Sequence, residues 1–94
     1  MSRPRLPRCI RFKPDVFYFK PRGIPLRNLE EIPLFPDELE ALKLHEVDGL
    51  DQIRASKIMK ISQPTFARLL ESAHKKTAEA IIKGKAIKIE KLMI

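Results

Sequence analysis

Gln63, Thr65 and Arg68 are hydrogen-bonding side chains on one short stretch, and Ser62 stands immediately before them. If that stretch is the opening of a helix, Ser62 is its N-cap, because a serine hydroxyl accepts a hydrogen bond from an unpaired N–H of the first turn. Gln63, Thr65 and Arg68 then face outward, with the donors and acceptors needed to read base edges in a DNA major groove. Ser62 would also set the N–H groups of the helix start near a phosphate. Pro64 restricts the first turn and offers an apolar contact to a thymine methyl group. Lys60, Lys75 and Lys76 supply cations for phosphate contacts.

The elements that would position these residues lie in LDQIRASKIMKISQPTFARLLESAHKKTAEAII, residues 50–82. It reads as a short helix, a tight turn at Lys60 and Ile61, and a long second helix. Small or apolar residues at Ala55, Ser56, Met59, Ile61, Phe66 and Leu69 fall where two crossed helices of a helix-turn-helix touch. Ser56 marks the closest approach, where a bulky side chain would force the helices apart. The plainer reading is an amphipathic helix pair that binds nothing. The six matching positions and the basic composition favour the DNA reading.

The segments DELEALKL (37–44), SQPTFARLLESAHKK (62–76), EAIIKGKAIKIE (79–90) and FYFKPRGIP (17–25) resemble a family of small bacterial and archaeal proteins. That family is described as predicted DNA-binding proteins, and its helix-turn-helix is similar to region four of bacterial sigma factors. The resemblance covers nearly the whole chain. It departs at two points: Lys60 stands where the turn often has Gly, and Phe35 stands where a Ser or Thr cap is expected. A non-Gly residue with positive φ is uncommon, so Lys60 is an unusual occupant of a left-handed turn.

Ninety-four residues allow one domain with a modest core, and 44% hydrophobic residues suit a folded chain. Residues 1–27 are expected to form a basic N-terminal arm with short strands. Residues 28–94 are expected to form the helix-turn-helix domain, with a long recognition helix and a C-terminal strand or tail. The fold class is thus mainly α, with a small flanking β element from both ends of the chain. No run approaches a membrane span and the N-terminus lacks a signal-peptide core, which points to a cytoplasmic protein. Cys9 is the single cysteine, so no internal disulfide or Cys-rich zinc site can form.

The net charge of +7 is unevenly spread. Residues 1–27 hold eight Lys/Arg against one Asp/Glu, residues 28–59 three against eight, and residues 60–94 eight against three. Such segregation suits a face pressed against phosphates. At the N-terminus Arg3, Arg5 and Arg8 alternate with Pro4 and Pro7, which prevent helix and leave an extended arm able to follow a DNA backbone or enter a minor groove.

Residues 9–12 and 16–19 read as two short strands. Pro21, Gly23 and Pro25 mark a loop. A helical turn is expected over residues 28–32, stopped by Pro33. The next helix opens at Pro36 and runs to about Val47, with Leu39, Leu42 and Val47 inward and Glu38, Glu40 and Glu46 outward. The long helix over residues 63–83 spans about 30 Å. Gly84 closes it, and residues 86–90 alternate as a strand. Its apolar stripe of Phe66, Leu69, Leu70, Ala73, Thr77, Ala80 and Ile81 outlasts what two helices can cover. A homodimer through residues 77–94 is therefore expected, against a monomer whose own strands cover the stripe.

His45 and His74 have no companions at metal-ligand spacing, and no phosphate loop, nucleophile triad or apolar carboxylate pair is present. Neither an enzyme nor a cofactor or metal is expected. The expected partner is double-stranded DNA, in transcription regulation. Two other readings remain open: a protein-interaction module contacting RNA polymerase through the acidic helix, and an RNA or single-strand binder using Phe17, Tyr18 and Phe19 on an exposed sheet.

Overall fold

A computed structural model describes residues 8–91. Among them, three helices and three short strands follow one another as β1 (Tyr18–Phe19), β2 (Glu31–Leu34), α1 (Pro36–Leu42), α2 (Gln52–Met59), α3 (Gln63–Lys83) and β3 (Ala86–Ile89). A single 3-10 turn, Leu26–Asn28, precedes β2, and α1 widens into a π-type turn over Lys43–Val47. No helix among these residues is long and apolar enough to cross a membrane.

The helix bounds follow local chemistry. Asp51 caps α2 by accepting from the Arg54 N–H at 2.8 Å. Ser62 caps α3 by accepting from the Thr65 N–H at 3.2 Å. Gly84, at φ 65°, ends α3 in the left-handed conformation. Phe35 has no side chain to cap α1. There the Glu38 carboxylate reaches back to accept the Phe35 N–H at 2.9 Å, which is the other half of a capping box.

Two apolar clusters hold the fold together. In the first, Ala41 and Leu44 meet Ala55 and Met59 of α2 and Phe66 and Leu70 of α3. Phe66, Met59, Ala55 and Ala41 are fully buried. Ser56 is also buried between α2 and α3, and its hydroxyl donates to the Ile53 carbonyl at 2.8 Å, so no polar group is left unpaired there. In the second, Ala73 of α3 lies against Leu34 and Ile89 of the sheet.

The sheet has the order β1-β3-β2, with β1 antiparallel and β2 parallel to the central β3. It covers much of the α3 stripe that outlasts the other helices. Ala80 is buried, whereas Ile81 and Ile82 remain 72% and 82% exposed. The tail residues Ile87 and Ile89 pack within the chain against α3, so they are not free for a second copy as expected.

Several expectations need correction. Residues 28–32 do not form a helical turn before Pro33; Pro33 lies inside β2, paired with Lys88. The strand tolerates proline because β2 is an edge, where a missing N–H costs no ladder bond. Residues 9–12 are not a strand. Val47 is not inward but 78% exposed, because the wide turn rotates it out of the helical stripe. Glu38 and Glu40, expected on the outside, are 4% and 2% exposed.

Those buried carboxylates are satisfied from distant parts of the chain. Glu38 accepts from the Ser72 hydroxyl and from Lys76 Nζ at 2.8 Å. Glu40 Oε1 accepts the backbone N–H groups of Arg11 and Phe12 at 3.2 and 2.9 Å. Asp37 pairs with Arg8 at 2.8 Å. At the other end of the molecule Lys85 bridges Glu79 at 3.0 Å and Glu30 at 3.2 Å. Its hydrogen bond holds the Glu79 carboxyl below the usual range, and the same bond raises the Lys85 ammonium.

Candidate nucleic-acid interface

The turn between α2 and α3 is built from hydrogen bonds at a helix end. Lys60 adopts φ 59°, ψ 44°, the one positive φ outside glycine among the described residues. The Lys60 N–H donates to the Lys57 carbonyl at 3.1 Å, and the Ile61 N–H to the Ser56 carbonyl at 3.1 Å. The second bond closes the six-residue loop typical of a left-handed helix stop. The chain reverses there and enters α3 at once through Ser62.

With Phe66, Leu70 and Ala73 turned inward, the opposite face of α3 presents Gln63, Pro64, Ala67, Arg68, Glu71 and Lys75 to solvent. Gln63 and Arg68 have no partner within the described residues, so their donors are available to a ligand. Lys60 and Lys75 are likewise exposed and unpaired. Lys75 lies seven residues beyond Arg68, which is about 10 Å further along the helix. Glu71 stands between them on the same face, an acid that phosphate would not welcome.

Thr65 and Lys76 fit the expected roles less well. Thr65 is half-buried, and its Oγ1 accepts the Ser62 hydroxyl at 2.9 Å, so it serves the cap. The Lys76 ammonium lies 2.8 Å from Glu38 and 4.4 Å from the centre of the Phe35 ring. That is an internal ion pair with a cation–π contact, in place of the expected phosphate contact. The first turn of α3 also offers less to an anion than four free N–H groups would. Pro64 has none, Thr65 gives its own to the Ser62 hydroxyl, and Phe66 gives its own to the Ser62 carbonyl at 3.0 Å. Gln63 N–H is what remains in that turn.

Arg8 is not a free arm residue. Its guanidinium is 11% exposed and locked on Asp37. Arg3 and Arg5 lie outside the described residues. His74 pairs with Glu46 at 2.7 Å, and His45 Nδ1 donates to the Leu50 carbonyl at 2.8 Å. Among the described residues no three His, Cys, Asp or Glu side chains gather as a metal ion requires.

Two cations escaped the sequence reading. Arg54 and Lys57 are exposed on α2 and precede Lys60 at steps of three, a row along one side of that helix. Arg54 has only a 4.0 Å approach to Asp51, with both side chains well exposed. The signal was present as R-x-x-K-x-x-K, and it becomes legible once α2 is placed.

The aromatic residues near the N-terminus are divided. Phe17 packs toward the second core cluster, with Lys91 Nζ 5.2 Å from its ring centre. Tyr18 and Phe19 are 39% and 55% exposed.

Known relatives resemble the chain along almost its full length. A UPF0251 protein of Caldanaerobacter subterraneus subsp. tengcongensis is 49% identical over 90 residues, which cover 96% of this chain and 76% of that protein. One from Dehalococcoides mccartyi is 51% identical over 90 residues, covering 96% of this chain and 77% of the relative. One from Moorella thermoacetica is 48% identical over 90 residues, covering 96% of this chain and 60% of the relative. No solved structure matches the chain. The model of the family described as "Protein of unknown function DUF134" matches residues 1–91, and the chain therefore belongs to that family of UPF0251 proteins.

Proposed function

We propose that this protein binds double-stranded DNA sequence-specifically through α2, the Lys60 turn and α3, used as a helix-turn-helix similar to region four of sigma factors, and that it regulates transcription. One observation carries the reading. The outer face at the start of α3 holds exposed, unpaired Gln63 and Arg68, flanked by the unpaired Lys57 and Lys60. Buried Ala55 and Ser56 let α2 and α3 approach closely behind that face. On this reading Gln63 and Arg68 meet base edges, Pro64 meets a thymine methyl, and Arg54, Lys57, Lys60 and Lys75 meet phosphates.

Titration of labelled genomic duplex at three salt concentrations tests it. A steep fall of affinity with salt is expected, with a slope of about 0.9 per phosphate contacted. Arg68→Ala should cost about 1–3 kcal/mol on a selected site and much less on random duplex. Equal losses on both would remove Arg68 from base reading. A flat salt response would remove the electrostatic footing of the whole proposal.

The single-strand reading draws support from the exposure of Tyr18 and Phe19. Single-stranded RNA as competitor in the same titration separates the two, since a single-strand binder releases duplex first. The polymerase-contact reading has lost most of its surface, because Glu38 and Glu40 are internal and Glu46 is engaged by His74.

A homodimer would let two copies read half-sites about one helical turn apart. What supports it now is narrower than the 77–94 segment: Ile81, Ile82 and Phe19 are the exposed apolar side chains at the far end of α3 and the neighbouring sheet edge. Sedimentation at micromolar concentration is expected to show a dimer that Ile81→Glu dissociates. A wild-type monomer across that range overturns it.

A further inference from the structure

The face that α3 turns to solvent carries one acid among its cations. Phe66, Leu70 and Ala73 are buried, and Pro64, Ala67, Arg68, Glu71 and Lys75 are exposed on the opposite side. Pro64, Ala67, Arg68 and Glu71 stand at i, i+3, i+4 and i+7, a spacing that stacks side chains along one face of a helix. Base-reading side chains follow that spacing where a recognition helix lies in a major groove. Ala67, in the middle of the row, has only a methyl group, so the helix can come close to a surface there. Glu71 has no hydrogen bond or ion pair among the described residues, although Arg68 and Lys75 stand three and four positions away.

A carboxylate on this face restricts what can lie opposite it. It accepts hydrogen bonds and donates none. Phosphate oxygens repel it, so a duplex seated on this face must set Glu71 over base edges. In the major groove guanine presents the acceptors N7 and O6, and thymine presents O4 and a methyl group. Against either base a carboxylate stays unpaired in a site that has lost water, which is costly. The adenine N6 amino group is a donor, but it lies between two acceptors, its own N7 and the O4 of the paired thymine. The cytosine N4 amino group has an acceptor on one side only, the O6 of its guanine. Cytosine is therefore the base that suits an acid. Glu71 lies about 4.5 Å beyond Arg68 along the helix axis, a little more than the step of about 3.4 Å between base pairs.

We infer that Glu71 is a specificity-determining residue of the α3 face: its carboxylate accepts from the N4 amino group of a cytosine in the major groove, one or two base pairs from the base that Arg68 contacts. This deepens the duplex-binding reading given above and rests on it. An arginine selects acceptors and a carboxylate selects a donor, so together they reject sites that either alone would take. The acid lowers affinity for duplex in general and widens the gap between one site and the rest.

Selection of bound duplexes from a randomised library, with the full chain and three variants, tests this. Position 71 is exposed and Ala and Gln are good helix formers, so both replacements keep the fold. The wild type is expected to select a motif in which one cytosine lies within two base pairs of the position that Arg68→Ala relaxes. Glu71→Gln should move the choice at that position from cytosine to adenine, because a carboxamide pairs with adenine N6 and N7. Glu71→Ala should relax the choice there alone, with a loss of about tenfold on the wild-type motif and none on random duplex. A Glu71→Ala protein that binds every duplex more tightly by one factor, with the motif unchanged, makes Glu71 a solvated acid and overturns the inference. An unchanged motif with Glu71→Gln, or a base other than cytosine at the affected position, also overturns it; in each of these cases the DNA reading stands. A wild type that binds no duplex, or selects no motif, overturns the reading on which it rests.

Discussion

Lys76 and Lys60 are the same residue type sixteen positions apart, and both stand in basic stretches of the sequence. Lys76 is enclosed by Glu38 and the Phe35 ring, its charge consumed inside the fold. Lys60 stands exposed and unpaired on a turn that its own side chain disfavours. The molecule shows the same division more widely. Around α1, Arg8 and Lys76 pair with Asp37 and Glu38 across long sequence separations, and Glu40 takes two backbone N–H groups. Around the start of α3, Lys57, Lys60 and Arg68 are exposed and have no partner among the described residues. Net charge reports neither fact. What separates Arg8 and Lys76 from Lys60 is that a carboxylate has been buried to meet each of them.

The largest expected effect lies on the paired side. Glu38→Ala removes the acceptor of the Phe35 N–H, the Ser72 hydroxyl and the Lys76 ammonium together. Breaking a buried pair from one side costs about 3–5 kcal/mol, and the partial exposure of Lys76 places this case near the lower end, about 3 kcal/mol. Lys57→Ala, on the unpaired side, should stay within about 0.5 kcal/mol. Urea denaturation of both variants measures the gap. Equal stabilities would mean that the distinction between the two regions has no energetic content.

How much of this was legible depends on how local each cause is. The bounds of α3 follow from Ser62, Pro64 and Gly84, which act within one turn of where they stand, and the helix runs over the expected residues. The alternation at residues 86–90 likewise marks β3. β2 was hidden because Pro33 reads as a stop, and only the sheet order reveals that β2 is an edge able to hold it. The burial of Glu38 and Glu40 was hidden because their partners lie 28 to 38 residues away. A glutamate at a helix start looks alike in sequence whether it meets water or a lysine from another helix. For the same reason Arg8 and Lys76 could not be told from Lys60 and Arg68 by residue type.

A smaller effect than that of Glu38→Ala concerns Lys60 itself, and it has opposite signs in two measurements. A non-Gly residue in the left-handed region pays roughly 1–2 kcal/mol for the crowding of its Cβ against the backbone, and glycine does not. Glycine also loses more freedom on folding, which takes back part of the gain. Lys60→Gly, with its φ of 59°, is therefore expected to stabilise the fold by about 1 kcal/mol, visible as a higher urea midpoint at unchanged slope. If Lys60 is kept for a phosphate, the same substitution should lower the salt slope of duplex binding by about 0.9 and weaken cognate and random sites alike. A chain held at its turn by function would thus become more stable and bind less well. If Lys60→Gly stabilises the protein and leaves duplex affinity unchanged at every salt concentration, the cation at the turn has no part in binding. The charges left for binding would then be those of Arg54, Lys57, Arg68 and Lys75.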